Sequence, residues 1–123
     1  PGFMIQGGGF DTDYAQKEAD SIRGEFAANG FMQNTLKHTR GVLSMARTSD
    51  PNSASSQFFV MHKAAPYLDR QYAGFGKVIE GMDVVNEIAE CDTDFSDRPL
   101  DPQVIRRMTV ETFGVDYPAP EKA

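Results

Sequence analysis

Cysteine, basic charge and long apolar runs are all scarce in this sequence. Cys91 is the only cysteine, so no disulfide can form within the chain. A lone thiol is most simply explained by a reducing compartment, so we expect a cytoplasmic location, with a signal peptide upstream of Pro1 as the alternative. No apolar run approaches the roughly 20 residues of a membrane helix. The 12 basic residues against 18 acidic ones give a net charge of -6, which argues against a nucleic-acid surface. We therefore expect neither a membrane nor a nucleic-acid partner.

Metal-binding patterns are also lacking. His38 and His62 have no ligand partners at a useful spacing. Asp92 and Asp94 begin like a calcium loop, but Asp97 stands at the position of the required glycine, and the bidentate glutamate is absent too. We predict no metal and no cofactor.

The chain is long enough for one folded domain. It has 123 residues, of which 40% are hydrophobic and 24% charged, as in ordinary globular proteins. We assign residues 1–115 to the domain and residues 116–123, which contain two prolines, to a flexible tail.

Short strand patterns dominate the chain, and only one segment has a helical pattern. Residues 82–90 place Met82, Val85, Ile88 and Ala89 along a narrow apolar stripe, with Asp83 in the first turn, and predict a helix that covers a sheet. The fold should be mainly β. Further elements are expected as strands near the first apolar residues and at 25–26, 42–46, 57–62, 74–80 and 104–115, and as a single helical turn within 64–72.

The strand that begins near Gln57 is the most informative. Side chains on a strand alternate between faces, so Gln57, Phe59 and Met61 share one face while Phe58 and its neighbours take the other. An aromatic ring beside a carboxamide suits the floor of a binding groove. A strand buried on both faces explains the pattern about equally well.

The preceding strand has two small residues on one face. Leu43 and Met45 share a face, and Ser44 and Ala46 share the other. Small side chains could leave room for a ligand, although close packing of the sheet accounts for them equally well.

Five short motifs are distributed along the chain: Gly2-Phe-Met-Ile-Gln-Gly-Gly8, Leu36-Lys-His-Thr-Arg-Gly41, Leu43-Ser-Met-Ala46, Ser56-Gln-Phe-Phe59 and Phe75-Gly-Lys-Val78. In this order and spacing they resemble the cyclophilin family of peptidyl-prolyl isomerases. The match runs from Pro1 to about Phe113, so the resemblance covers nearly the whole chain.

The resemblance implies a closed antiparallel barrel of eight strands with two helices. It also implies a catalytic arginine in a Phe-His-Arg segment that precedes the Pro-Gly-Phe-Met sequence, and this chain starts just after that segment. We therefore expect a barrel that is incomplete at its N-terminus, without the first two strands, the first helix and that arginine. Unpaired edges should make the chain poorly stable or prone to associate.

The implied function is cis-trans isomerisation of X-Pro bonds in proline-containing peptides and in unfolded or partly folded proteins. The resemblance assigns catalytic support to Gln57, Phe59 and Gln6. Tyr67 stands where some relatives carry a tryptophan, which implies that cyclosporin-like ligands would bind weakly. The substrate-binding residues that it implies are Phe3, Met4, Gln6, Ala46, Arg47, Gln57, Phe59, Tyr67, Leu68 and Tyr72.

A non-catalytic module that binds proline-containing peptides or acts like a chaperone is the alternative function. By composition alone, Phe3, Met4 and Leu68 would be assigned to the core. His38 is predicted to be a turn residue and His62 a strand-end residue, and neither is given a catalytic role.

Overall fold

The computed structural model describes all residues, 1–123, and contains four short strands and one α-helix. A strand at Phe58–Met61 lies where the sequence predicts the most informative strand, although it starts one residue later than Gln57. A 3-10 turn at Pro66–Leu68 matches the helical turn predicted within 64–72. The strands are β1 (Met4–Gly7), β2 (Val42–Met45), β3 (Phe58–Met61) and β4 (Gly74–Lys77), and the helix is α1 (Met82–Ala89).

The four strands form one antiparallel sheet in the order β1, β3, β2, β4. Strand β3, with its run of β-branched and aromatic residues, occupies an inner position and pairs with β1 and β2. Strands β2 and β4 pair with a shift in register between Leu43 and Ser44. The sheet is open, with β1 and β4 at its edges, so the closed eight-stranded barrel implied by the resemblance is represented here by four strands.

The core lies on the face of the sheet that carries Phe59. On this face the 3-10 turn folds over β2 and β3 and brings Leu68 onto Phe59. Burial of these side chains supplies most of the stabilisation of so small a sheet. The buried cluster consists of Val42, Phe59, Met61, Ala65 and Leu68.

Helix α1 is confirmed with the predicted apolar stripe. Val85 and Ala89 are buried, whereas Asp83 and Val84 are exposed. The helix begins after Gly81, whose φ of 94° lies in the left-handed region that glycine tolerates best. It packs near β1, and no helix of the chain is both long enough and apolar enough to span a bilayer.

Two predicted strands are wrong. Phe26 is extended, but a 3-10 turn at Ala27–Asn29 follows it directly and ends at Gly30, so residues 25–26 form no strand. Residues 104–115 also form no strand, although Thr109, Val110, Thr112 and Phe113 are residue types that favour strands. Their only backbone hydrogen bond runs from the Val115 N–H to the Thr112 carbonyl. A segment rich in strand-forming residues becomes a strand only where a neighbouring strand supplies hydrogen bonds.

The last residues are paired with a distant segment. The Ala123 N–H donates to the Ser21 carbonyl at 3.1 Å, and the Arg23 N–H donates to the Glu121 carbonyl at 2.8 Å. Lys122 also forms an ion pair with Asp20 at 2.7 Å, in which both side chains are largely exposed. The end of the predicted flexible tail therefore lies along residues 21–23.

Candidate functional site

An apolar cluster joins residues from four separate parts of the chain. Phe59 on β3 and Leu68 in the 3-10 turn are buried, and Met4, Ala46 and Tyr72 pack against them while remaining partly accessible. The rings of Phe59 and Tyr72 meet edge to face, with centroids 5.9 Å apart. The structure thus brings together five of the substrate-binding residues that the resemblance implies.

Phe59 is buried, whereas the sequence predicted that it forms the accessible floor of a binding groove. Phe59 is only 3% exposed, and the next two residues of β3, Val60 and Met61, are also buried. Strand β3 is therefore covered on both faces, which was the alternative interpretation. Ser44, beside it on β2, is fully buried, so the small side chain at this position reflects close packing and leaves no room for a ligand.

Two carboxamides lie beside this cluster. Gln6 is paired directly across the sheet from Phe59, and its Nε2 donates to Gln57 Oε1 at 2.8 Å. Both side chains reach solvent. A Cβ on Gly9 would lie 2.6 Å from Gln57 Cδ, so the glycine run after β1 allows the backbone to pass closely under Gln57.

Phe3 and Tyr67 form a separate aromatic pair. Their rings are stacked with centroids 6.2 Å apart and an interplanar angle of 26°. Phe3 is 40% exposed and Tyr67 71% exposed. These two predicted residues thus lie outside the buried cluster and present their rings to solvent.

Arg47 is held by aromatic rings and carbonyl groups. Its guanidinium carbon lies 4.4 Å from the centroid of Tyr72 and 4.9 Å from that of Phe26. Two of its nitrogens donate to the carbonyls of Thr48 and Gln71, and its buried Nε has no partner. The guanidinium is therefore committed to contacts within the chain.

The backbone at Ala46 and Arg47 has unused hydrogen-bonding groups. The Ala46 N–H donates to the Gln57 carbonyl at 3.1 Å. The Ala46 carbonyl and the Arg47 N–H make no hydrogen bond within the chain. They offer one acceptor and one donor to an extended peptide.

His38 lies in a tight turn, as the sequence predicts, because the Thr39 N–H donates to the Lys37 carbonyl at 2.9 Å. It is also a buried part of the site, which the sequence does not predict. It is 1% exposed, and its ring stacks on Phe59 with centroids 6.0 Å apart. Its Nδ1 lies 3.3 Å from Asp69 Oδ1, and its Nε2 lies 2.8 Å from Ser44 Oγ. Burial lowers the pKa of His38 below its usual value, although the Asp69 carboxylate acts in the opposite direction. No sequence signal points to this group, because Asp69 is 31 residues away along the chain.

Two cavities lie away from these residues. One of about 400 Å³ is lined by Phe31, Met45 and Phe75 among others. Another of about 470 Å³ lies between Glu90 and Asp101. Neither is lined by a predicted site residue. No group of three or more His, Cys, Asp or Glu side chains is arranged to hold a metal ion.

Comparisons with a family model and with individual proteins all indicate the same family. The model for "Cyclophilin type peptidyl-prolyl cis-trans isomerase/CLD" matches residues 1–110. A peptidyl-prolyl cis-trans isomerase of Acinetobacter baylyi is 52% identical over 99 residues, which cover 76% of this chain and 50% of that protein. Peptidyl-prolyl cis-trans isomerase B of Escherichia coli is 40% identical over 122 residues, which cover 89% of this chain and 71% of that protein.

Solved structures agree with the sequence comparison. A crystal structure of a cyclophilin type peptidyl-prolyl cis-trans isomerase from Cryptosporidium parvum, in the presence of the dipeptide Ala-Pro, superimposes with a TM-score of 0.65 at 36% identity. The match covers 81% of this chain and 63% of that one. The chain spans about half the length of the Acinetobacter relative.

Proposed function

Because the chain belongs to the cyclophilin-type peptidyl-prolyl cis-trans isomerase family, we propose that its activity is to accelerate rotation about X-Pro bonds in polypeptides. The observation that carries the proposal is the meeting of Met4, Phe59, Leu68 and Tyr72 beside the Gln6–Gln57 pair. An apolar surface next to polar groups that orient a peptide is what this reaction requires.

The reaction needs no nucleophile, metal or general base. Rotation about a peptide bond crosses a barrier of about 18–20 kcal/mol, because the bond loses its partial double-bond character when it is twisted. Uncatalysed X-Pro rotation takes on the order of tens to hundreds of seconds. Each ~1.4 kcal/mol of stabilisation that acts only on the twisted state speeds the reaction about tenfold.

The residues have separate roles in this proposal. The accessible parts of Met4 and Tyr72, above Phe59 and Leu68, receive the prolyl ring. The Ala46 carbonyl and the Arg47 N–H, both free within the chain, bind the backbone that flanks the proline. The carboxamides of Gln6 and Gln57 orient the peptide carbonyl.

The family resemblance assigns the main donor to the proline nitrogen to an arginine upstream of Pro-Gly-Phe-Met. Residues 1–123 contain no counterpart of that arginine. We therefore propose that peptide binding depends on the site described here, whereas full turnover also requires the upstream Phe-His-Arg segment.

Exchange spectroscopy on an Ala-Pro peptide tests both statements. The dipeptide in the Cryptosporidium parvum structure motivates that choice of peptide. The 123-residue chain should bind the peptide with little turnover, and a version extended upstream through Phe-His-Arg should bind similarly and turn it over. Equal turnover by both versions would refute the role of the arginine. Binding without turnover by the extended version would favour the alternative, a proline-peptide binding or chaperone-like module.

The proposal extends to partners and location. Proline-containing stretches of unfolded or partly folded proteins are the substrates that an open, solvent-facing site would reach. Cyclosporin-like ligands should bind weakly, because tyrosine occupies position 67. We propose a cytoplasmic location from the lone Cys91, which fractionation of cells that produce this protein would test.

A further inference from the structure

His38 lies between two parts of the buried base of the proposed proline site. One part is the sheet, represented by Ser44 on β2 and Phe59 on β3. The other part is the 3-10 turn that carries Leu68. Two hydrogen bonds connect this turn to the backbone of His38: the Ala65 N–H donates to the His38 carbonyl at 2.9 Å, and the His38 N–H donates to Asp69 Oδ1 at 2.6 Å.

The ring of His38 continues this connection into the sheet. The lowered pKa makes the ring neutral near pH 7. Because a carboxylate only accepts hydrogen bonds, Nδ1 carries the proton and donates to Asp69 at 3.3 Å. Nε2 is then an acceptor and receives the Ser44 hydroxyl proton at 2.8 Å. The ring plane lies at 22° to that of Phe59, on which it stacks.

A hydrolytic role for the Asp69–His38–Ser44 arrangement is excluded by burial. The order of groups resembles a nucleophilic triad. However, Ser44 is completely buried and His38 is 1% exposed, so no substrate carbonyl can approach Ser44 Oγ. The arrangement can act only on the surrounding protein.

We propose that His38 is a positioning residue, through which Asp69 fixes how the Leu68 turn packs on Phe59 and so holds the apolar base of the proline site in place. The inference rests on the proposed function. The carboxylate of Asp69 hydrogen-bonds only to His38, so we expect the side chain of Asp69 to affect peptide binding through His38.

The substitution Asp69→Ala tests this proposal, since Asp69 is partly exposed and its removal creates no large cavity. Asp11→Ala is the matched control. Asp11 Oδ1 accepts two N–H groups, from the backbone of Asp13 and Ala15, and Asp69 Oδ1 accepts two from the backbone and ring of His38, so each substitution removes an acceptor of two N–H groups. Asp69→Asn keeps an oxygen that can accept from His38.

We expect Asp69→Ala to raise the dissociation constant for an Ala-Pro peptide about tenfold, with Asp11→Ala unchanged and Asp69→Asn restored to within about twofold. The dissociation constants should be measured at temperatures well below the midpoint of thermal unfolding of each variant. A purely structural role would lower the melting temperature and the fraction of binding-competent protein while leaving the dissociation constant of the folded molecules unchanged.

Two failures can be told apart. If the unsubstituted chain binds no proline-containing peptide, the proposed function fails and this inference fails with it. If that chain binds the peptide and Asp69→Ala binds it equally well, only the positioning role of His38 is refuted. The same conclusion follows if Asp69→Asn and Asp69→Ala weaken binding to the same extent.

Discussion

Replacing Phe59 with leucine tests the face of β3 on which the proposed site is built. The ring of Phe59 is 3% exposed and makes two aromatic contacts, with His38 at 6.0 Å and with Tyr72 at 5.9 Å. Each such pair contributes about 0.5–1.5 kcal/mol beyond simple burial. Leucine removes both, so Phe59→Leu should lower the free energy of unfolding by roughly 1–3 kcal/mol.

The neighbouring Phe58 provides a matched control on the opposite face. It is half-buried and pairs across the sheet with Gly7 and Met45. Phe58→Leu should cost about 1 kcal/mol through lost apolar burial and leave peptide affinity unchanged. Phe59→Leu should weaken the binding of an Ala-Pro peptide about tenfold.

Urea unfolding and peptide titration measure the two effects separately. Stability comes from the denaturation curve, and affinity comes from the titration of protein that is fully folded in buffer. Equal loss of affinity in Phe58→Leu and Phe59→Leu would refute the assignment of Phe59 to the site, because residues on opposite faces of a strand cannot both border it.

Three further predictions concern stability and local coupling. Because burial lowers the pKa of His38 below the ordinary histidine value of 6.5, the unfolded chain takes up this proton first as the pH falls. The free energy of unfolding should therefore fall as the pH drops below about 6.5, whereas above that pH His38 should contribute no pH dependence. Urea unfolding midpoints that vary with pH in the same way in His38→Gln would contradict this. Leu68→Ala should lower the free energy of unfolding by about 2–5 kcal/mol. The control Leu100→Ala, at a position that is 64% exposed, should change it by less than about 0.5 kcal/mol. Similar unfolding midpoints in the two variants would show that Leu68 is not packed as described. A double-mutant cycle of Gln6→Ala and Gln57→Ala should give a coupling energy near or below about 1 kcal/mol, as expected for an accessible neutral hydrogen bond. If the two substitutions instead had additive effects on peptide affinity, the two amides would act independently.

Local sequence patterns predict those parts of the fold that depend on local chemistry. The helix Met82–Ala89 follows from its spacing of apolar residues, and β3 follows from its run of β-formers. Alternation correctly separates Phe58 from Phe59. The type of element and the face on which a side chain lies are set by neighbouring residues, so a single stretch of sequence is enough to predict them.

Properties that depend on distant partners were not predictable in the same way. Residues 104–115 have the composition of a strand, but no other segment of the chain pairs with their backbone. The burial of His38 depends on Asp69, which is remote in sequence, and on Ser44. For the site itself, the family resemblance supplied the residue set, because composition alone assigns Leu68 and Met4 to the core.

Strand β1 lies at the edge of the sheet, so the peptide site can be lost by local opening of this strand. Strand β1 pairs only with β3, and Met4 meets Met61 across a separation of 57 residues, so closing this pair costs more chain entropy than forming a hairpin. Fraying should therefore begin at β1, well before global denaturation. Each such opening removes Met4 and Gln6 together, so partial opening at the N-terminus would abolish peptide recognition while most of the tertiary structure persists.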